Sequence, residues 1–274
     1  MINDQFKIVG DSSLEFTDEL TSFIESETVA LFMTLGDDVY CDDAKLDVAN
    51  FINKMKEYDG AARSSCPAPE TYRASYVSDK HVFCITLSDK VSGSYASAKL
   101  GSEGMDNVTV LDSKSASAGE ILVAYKLKEL IEDGKSKDDI IQTIKTFIDN
   151  MRTFFVLENI DNFVKNGRIS KVLGKMTSLL NIHPIMGSND GAIDCFAKVK
   201  GSAAAIKTLV SMIGKYCSDT RDKILVITHC ENEKTAERVK ILAQEAYSFK
   251  KIVVQKTRGL SSMYANRGGV IIAF

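Results

Sequence analysis

Several things are scarce in this sequence, and each absence excludes a class of function. Only three prolines occur in 274 residues and no long Gly/Ser stretch is present, so no sizeable disordered linker is expected. No run reaches 18 apolar residues, so no membrane-spanning helix is expected. The opening residues, MINDQFKIVGDSS, hold no basic region followed by an apolar run, so no secretory signal is expected. Basic residues show no excess: the net charge is −3, which argues against a general nucleic-acid binder. The six cysteines form no C-x-x-C pair, and several sit in apolar runs, as Cys84 does. Free thiols in a reducing, cytoplasmic setting are expected rather than a disulfide framework.

The first half alternates strand and helix patterns. FKIVG (6–10), TVALFMTLG (28–36), Val82–Leu87 and Asn107–Ser113 each predict a strand. Ser12-Ser13 reads as a helix N-cap, Gly36-Asp37-Asp38 as a turn, and SSCPAP as a loop. Amphipathic or capped helices are expected around LDVANFINKMKEY, from Glu70, from Ser94, in AGEILVAYKLKELIEDG, and after Ser136. Strands separated by helices imply βαβ units and a mainly parallel sheet, whose ligands sit beyond the carboxyl ends of the strands. The loops after Gly10, Leu87 and Leu111 share that edge, and each is rich in serine. Near residue 150 the pattern changes towards hairpins, with Asn189-Asp190-Gly191 as one turn. The expected fold class is α/β in two domains. Residues 1–150 form a three-layer α/β/α unit with a mainly parallel sheet, and residues 151–274 an α/β unit with a mixed sheet.

The candidate sites are modest on spacing alone. The segment DKVSGSY places Ser92, Gly93 and Ser94 between a strand and a helix, where hydroxyls and free N–H groups can hold a carboxylate or phosphate. Plain helix capping by Ser92 or Ser94 explains the same pattern and is the commoner case. No P-loop, G-x-G-x-x-G or G-x-S-x-G element is present. No spacing links His81, His183 or His229 to a serine. The carboxylates of LGDDVYCDD read as a solvated hairpin rather than a metal site, and no metal or cofactor is expected. Lys165, Arg168, Lys171 and Lys175 form either a solvated face or a docking surface for an acidic partner or a lipid head group. Ile169, Val172, Leu173, Met176, Leu179 and Leu180 form a broad apolar stripe, suited to core or to a ligand cavity.

Six motifs in order, SSCPAPETYRASY, ITLSDKVSGSYASA, VLDSKSASAG, KNGRIS, IHPIMGSNDGAI and KVKGSAAAI, make the chain resemble the DegV family of bacterial fatty-acid-binding proteins. The resemblance runs from Phe6 to the C-terminus. It implies a two-domain α/β fold with one long-chain fatty acid between the domains and no catalytic residue. By this resemblance, Ser64, Ser65, Ser92, Gly93 and Ser94 hold the carboxylate, while Ile169, Val172, Leu173, Met176 and Leu180 line the acyl tunnel. Arg168 and Lys200 stand at the family's basic positions near the head group or partner. The family's His-x-Gly-Pro-Gly element is absent; Tyr264 or Asn266, in MYANRGGVIIAF, takes its place. Lys200 replaces an arginine, which removes bidentate binding there. The resemblance further implies a cytoplasmic carrier that presents the carboxyl group to a separate ATP-dependent fatty acid kinase, with membrane-surface contact as a further expectation. The competing readings are a serine-dependent lipid hydrolase or acyltransferase, and a regulatory docking module.

Overall fold

The computed structural model describes residues 2–169 and 181–274. In chain order its first part contains β1 (Phe6–Asp11), α1 (Asp18–Phe23), β2 (Glu25–Val29), β3 (Phe32–Leu35), β4 (Asp38–Cys41), α2 (Val48–Glu57), β5 (Arg63–Ser65), α3 (Pro69–Ser75), β6 (His81–Thr86), α4 (Ser94–Gly101), β7 (Val108–Asp112), α5 (Ala118–Glu132) and α6 (Lys137–Asn150). There follow β8 (Thr153–Val156), α7 (Asp161–Lys165), β9 (Ile182–Asn189), β10 (Ala192–Lys200), α8 (Ser202–Tyr216), β11 (Ile224–His229), α9 (Glu233–Ala246), β12 (Lys251–Lys256), α10 (Gly259–Ala265) and β13 (Val270–Ala273).

Three sheets result. A parallel sheet has the order β2-β1-β6-β7, a mixed sheet the order β10-β9-β8-β13-β11-β12, and a small antiparallel sheet the order β4-β3-β5. β1 is buried along its whole length, as a strand covered on both faces by helices must be. Local chemistry sets the element ends. Thr17, Asp47 and Ser136 cap α1, α2 and α6 by accepting from Leu20 N, Asn50 N and Asp139 N. The β9–β10 hairpin turns at Asp190 and Gly191, both with positive φ (47° and 85°), which matches the twist of the paired strands.

Two expectations from the sequence are corrected here. The single strand expected over 28–36 is two strands in two sheets. β2 ends at Val29, and the chain then crosses to β3, because Leu31 N is drawn to Ser12 Oγ at 3.1 Å. Ser12-Ser13 caps no helix: Ser12 makes that cross-link, and Ser13 Oγ accepts from Ser117 N at 2.9 Å.

Helix α5 joins the two large sheets. Eleven of its residues are buried, from Ala118 to Ile131, which leaves it little exposed surface. One apolar cluster contains its Ile121 and Leu127 together with Ile8, Phe83 and Ile85 of the parallel sheet and Val226, Val253 and Ala273 of the mixed sheet. Helices α3 and α4 cover the far face of the parallel sheet through Tyr72, Tyr76 and Ala98. Helices α8 and α9 cover the far face of the mixed sheet through Leu209, Ile213, Ala236 and Val239. The layering is therefore helix, sheet, helix, sheet, helix. Ile121→Ala removes a fully buried side chain from the shared layer. It is expected to cost about 2–5 kcal/mol in denaturant unfolding and to lower the stability of both sheets in one transition.

Candidate functional site

The carboxyl ends of β1, β6 and β7 lie side by side, as the parallel register requires. The loops that leave them are tied together by a buried carboxylate. Asp11 Oδ2 accepts from Leu87 N at 2.8 Å, and Oδ1 accepts from Ser13 N at 3.1 Å. Ser88 N donates to Ser115 O at 3.0 Å, which binds the second loop to the third. The third loop holds Ser117 at φ 48°, a conformation that a residue with a side chain adopts only when its surroundings enforce it. Here the enforcement comes from Ser13 Oγ on its N–H, and from Glu15 Oε2 at 2.8 Å and Thr228 Oγ1 at 2.9 Å on its hydroxyl.

These loops open on a cavity of about 330 Å³. One part of its wall is apolar: Leu31, Leu87, Phe155, Leu157, Phe163, Ile193, Leu260, Ala265 and Ile271. Phe155, Phe163 and Tyr264 pack in series, with ring centroids 5.9 and 4.9 Å apart. The remaining wall is built of hydroxyls, from Ser13, Ser64, Ser65, Ser92, Ser115, Ser117, Thr153, Ser188, Ser261 and Tyr264. Ser64 Oγ and Tyr264 Oη are hydrogen-bonded at 3.1 Å, across 200 residues of sequence. Gly93 lets the Ser92 loop approach the end of β5: a Cβ there would stand 3.0 Å from Cys66 Sγ. Arg168 joins the wall, with Nε donating to Val91 O at 3.1 Å and Nη1 to Asn166 O at 2.6 Å. The β9–β10 turn closes one side. Ser88 Oγ donates to Gly191 O at 2.8 Å, and Lys114 Nζ meets Asp190 at 2.6 Å and Asp149 at 3.0 Å.

The structure places Ser64, Ser65, Ser92, Gly93 and Tyr264, expected at the carboxylate, and Arg168, expected near the head group or partner, in the wall of one cavity. It separates others. Ser94 is buried behind Ser92, their hydroxyls 3.0 Å apart, and is absent from the cavity wall. Of the pair Tyr264 and Asn266, the cavity takes Tyr264; Asn266 ends α10 at φ 54° and does not line it. Lys200 is exposed at the end of β10, away from the cavity, because its strand carries it past the turn-proximal residues that face the serine loops. Ile169 does not line the cavity either; it backs the wall, in one apolar cluster with Phe155 and Leu157. Val172, Leu173, Met176, Leu179, Leu180, Lys171 and Lys175 lie outside the described residues. Ser64 and Ser65 sit in β5 rather than in a loop, paired with Met33 and Phe32. Capping by Ser92 or Ser94 does not occur as expected: Gly93 is the N-cap of α4 and makes no side-chain cap, while Ser92 Oγ accepts from Ser94 N at 3.2 Å.

The acidic segment expected to be a solvated hairpin contains one buried carboxylate. Asp42 accepts from Gly259 N at 2.9 Å and Leu260 N at 2.8 Å, docking the small sheet on the start of α10. Among the described residues no cluster of three or more His, Cys, Asp or Glu side chains is arranged to hold a metal. The histidines are engaged elsewhere. His81 Nε2 bonds Thr109 Oγ1 at 2.9 Å, and burial lowers its pKa to about 4. His229 Nδ1 accepts from Asn232 N at 3.2 Å. None of the three lines the cavity. Sequence reasoning missed the apolar wall from β8, Phe163 and α10, and it missed Asp11 and Glu15. The serine-rich loops after Gly10 and Leu111 were the available signal for the last two.

A buried helix between two sheets and a cavity with one apolar and one hydroxyl wall define an α/β protein built to enclose an amphipathic small molecule. The chain belongs to the DegV family: it matches the model of that family, described as uncharacterised, over residues 5–273. A DegV domain-containing protein of Streptococcus pyogenes serotype M18 is 31% identical, with 98% of this chain and 99% of the relative covered. The crystal structure of a DegV family protein from Ruminococcus gnavus, with vaccenic acid, is 35% identical at a TM-score of 0.92, covering 98% of this chain and 99% of that one. The Streptococcus pneumoniae Fatty Acid Kinase (Fak) B3 protein loaded with linoleic acid is 29% identical at a TM-score of 0.91, covering 98% and 99%. A DegV family protein from Eubacterium eligens loaded with heptadecanoic acid is 26% identical at a TM-score of 0.90, covering 98% of each chain.

Glu15 gives the site a measurable pH signature. Burial pushes its carboxyl from 4.5 up to about 8. Between those values the folded chain keeps a proton that the unfolded chain has lost, so stability falls as pH rises through the window. The slope from this one group is at most about 1.4 kcal/mol per pH unit. Denaturant unfolding of Glu15→Gln between about pH 5 and about pH 8 is expected to show a flatter decline than the native sequence. Parallel declines would mean that Glu15 is already ionised in the folded protein.

Proposed function

We propose that this protein is a non-enzymatic carrier of a long-chain fatty acid. The observation that carries the proposal is the two-sided cavity: apolar side chains line one part of its wall, and the Ser64, Tyr264 and Ser92 hydroxyls line another. Three structural relatives above 25% identity hold fatty acids in structures that match this fold over nearly the whole chain.

The energetics suit holding. Burying about 15 methylenes contributes on the order of 12 kcal/mol before the cost of ordering the chain. The carboxylate then needs donors, since a buried charge without them is expensive. Ser64, Ser92 and Tyr264 supply hydroxyl donors and Arg168 a positive charge at the same cavity. No cavity serine has a histidine partner among the described residues, which leaves every one of these hydroxyls without a base. That disfavours a hydrolase and favours retention. The likeness to the Fak B3 protein supports a second step in the reading, presentation of the bound carboxyl group to a separate fatty acid kinase. We also place the division between the two units of the fold near residue 150, between the last helix packed on the parallel sheet and the first strand of the mixed sheet.

Native mass spectrometry of the recombinant protein is expected to show a mass increment of one fatty acid, which denaturation releases. A homogeneous ligand-free mass, with no uptake on incubation with fatty acid, would sink the carrier reading. The Ser64→Ala/Ser92→Ala double substitution is expected to lose bound lipid while thermal unfolding changes little. Tyr264→Phe removes one hydroxyl donor and is expected to raise the ligand Kd by about 2- to 12-fold, read by competition against a fluorescent fatty acid.

A further inference from the structure

Ser64 and Tyr264 come from distant parts of the chain, so the 3.1 Å between their hydroxyls is set by whatever joins the small sheet to α10. Ser64 lies opposite Met33 in the β3–β5 ladder, which puts both side chains on one face of that sheet. That face is the one turned to α10: Met33 is fully buried, and a Cβ on Gly259 would stand 2.6 Å from its Cε. Leu31, Met33, Leu260 and Met263 share one apolar cluster. Apolar burial is a non-directional force, so the rotation and rise of α10 against the sheet need directional bonds as well.

Asp42 supplies them. It follows β4 directly, and its own N–H donates to Leu31 O at 2.9 Å, beside the start of β3. Its fully buried carboxylate accepts from Gly259 N at 2.9 Å through Oδ1 and from Leu260 N at 2.8 Å through Oδ2. Gly259 permits this approach, because a Cβ there would stand 2.5 Å from Asp42 Oδ1 and 2.4 Å from Leu46 Cδ2. The other holds on this part of the chain are of a different kind. Asn162 of α7 donates to Met263 O at 2.7 Å, and the long side chain of Arg258, just before α10, reaches Asp43 O. Tyr264 follows Leu260 on the same helix, about 6 Å further along its axis. Asp42 itself does not line the cavity.

We propose, resting on the carrier reading, that Asp42 is a positioning residue for ligand binding: it grips the start of α10 from the small sheet and so holds the Tyr264 hydroxyl beside that of Ser64, where one carboxylate can accept from both. Each hydroxyl carries one proton. In the bond between the two, one proton is used and the other is left over; a carboxylate placed against the pair takes both. That requires the two oxygens to stay within reach of one head group. Asp42→Asn keeps one acceptor oxygen but sets an amide NH2 against the second backbone N–H, so one of the two bonds becomes a contact between donors. The apolar cluster still holds α10 on the sheet, while its bearing, and with it the place of Tyr264, is released.

The test compares the binding of cis-parinaric acid with that of its methyl ester, both followed by fluorescence. The two share an acyl chain, and only the acid presents a charged acceptor, which makes the stronger hydrogen bonds. Asp42→Asn is expected to weaken binding of the acid about fivefold and that of the ester less than about twofold. A residue that served the fold alone would weaken both alike. In a Tyr264→Phe background the hydroxyl that Asp42 places is gone, so Asp42→Asn is expected to leave the acid Kd unchanged. Equal effects on acid and ester overturn the inference, and so does a loss that adds in full to that of Tyr264→Phe. Should Asp42→Asn not fold, Gly259→Ala decides: its Cβ pushes the start of α10 off an intact Asp42, and an unchanged ratio of ester to acid affinity overturns the inference. Failure of the native sequence to bind either compound overturns the carrier reading and this inference with it, whereas native binding that prefers the acid, with a preference untouched in Asp42→Asn, overturns this inference alone.

Discussion

Everything else in this fold depends on the burial of α5 between two sheets. A helix that packs on one sheet leaves a polar face for water. This one has no such face over most of its length, and its side chains interdigitate with both sheets in a single apolar cluster. The distance between the sheets is thereby set by one helix diameter, about 10–12 Å with side chains. Where the helix begins, near Ala118, that spacing continues without a helix to fill it. Leu31, Leu87, Phe155 and Leu157 face the space from its sides, and Ser115 and Ser117 face it from the end of the helix.

The same burial explains the unusual acid chemistry. Asp11, Glu15 and Glu120 are carried into the interior by β1, its following loop and α5, with no lysine or arginine side chain hydrogen-bonded to any of them among the described residues. Desolvation is the largest influence on all three and raises each. Such groups weaken a fold unless their hydrogen bonds do something else. Here the bonds of Asp11 and Glu15 run to loop backbone and loop hydroxyls, including the strained Ser117, so the energetic cost falls on the residues that shape the cavity.

The order of elements was largely legible from residue patterns. Gly134 at φ 68° ends α5 as expected, Ser136 caps α6, and Asp190-Gly191 turns the hairpin, because each of these depends on chemistry within a few residues. The places where the pattern misled share a physical cause. Thr28–Gly36 is continuously strand-like, yet it serves two sheets, and a hydrogen bond to Ser12 decides where it divides. Asp42 stands in an acidic, apparently solvated segment, and a helix start more than 200 residues later buries it. Ser12-Ser13 has the form of a cap and is used instead to join loops.

What the sequence by itself determined is the set of local units: parallel strands, their intervening helices, and hydroxyl-rich loops at one edge. It determined these because strand and helix periodicity, caps and turns are short-range properties of the chain. Family membership was also legible, through motifs whose order is a property of the chain and not of its folding. Tertiary structure alone decided which of these residues form a site. Ser64 meets Tyr264, Arg168 meets Val91, and Ser92 gains Ser94 behind it, while Lys200 and Asn266 are left outside. Those outcomes depend on how two sheets close over one helix, and that closure is fixed by packing between residues far apart in sequence.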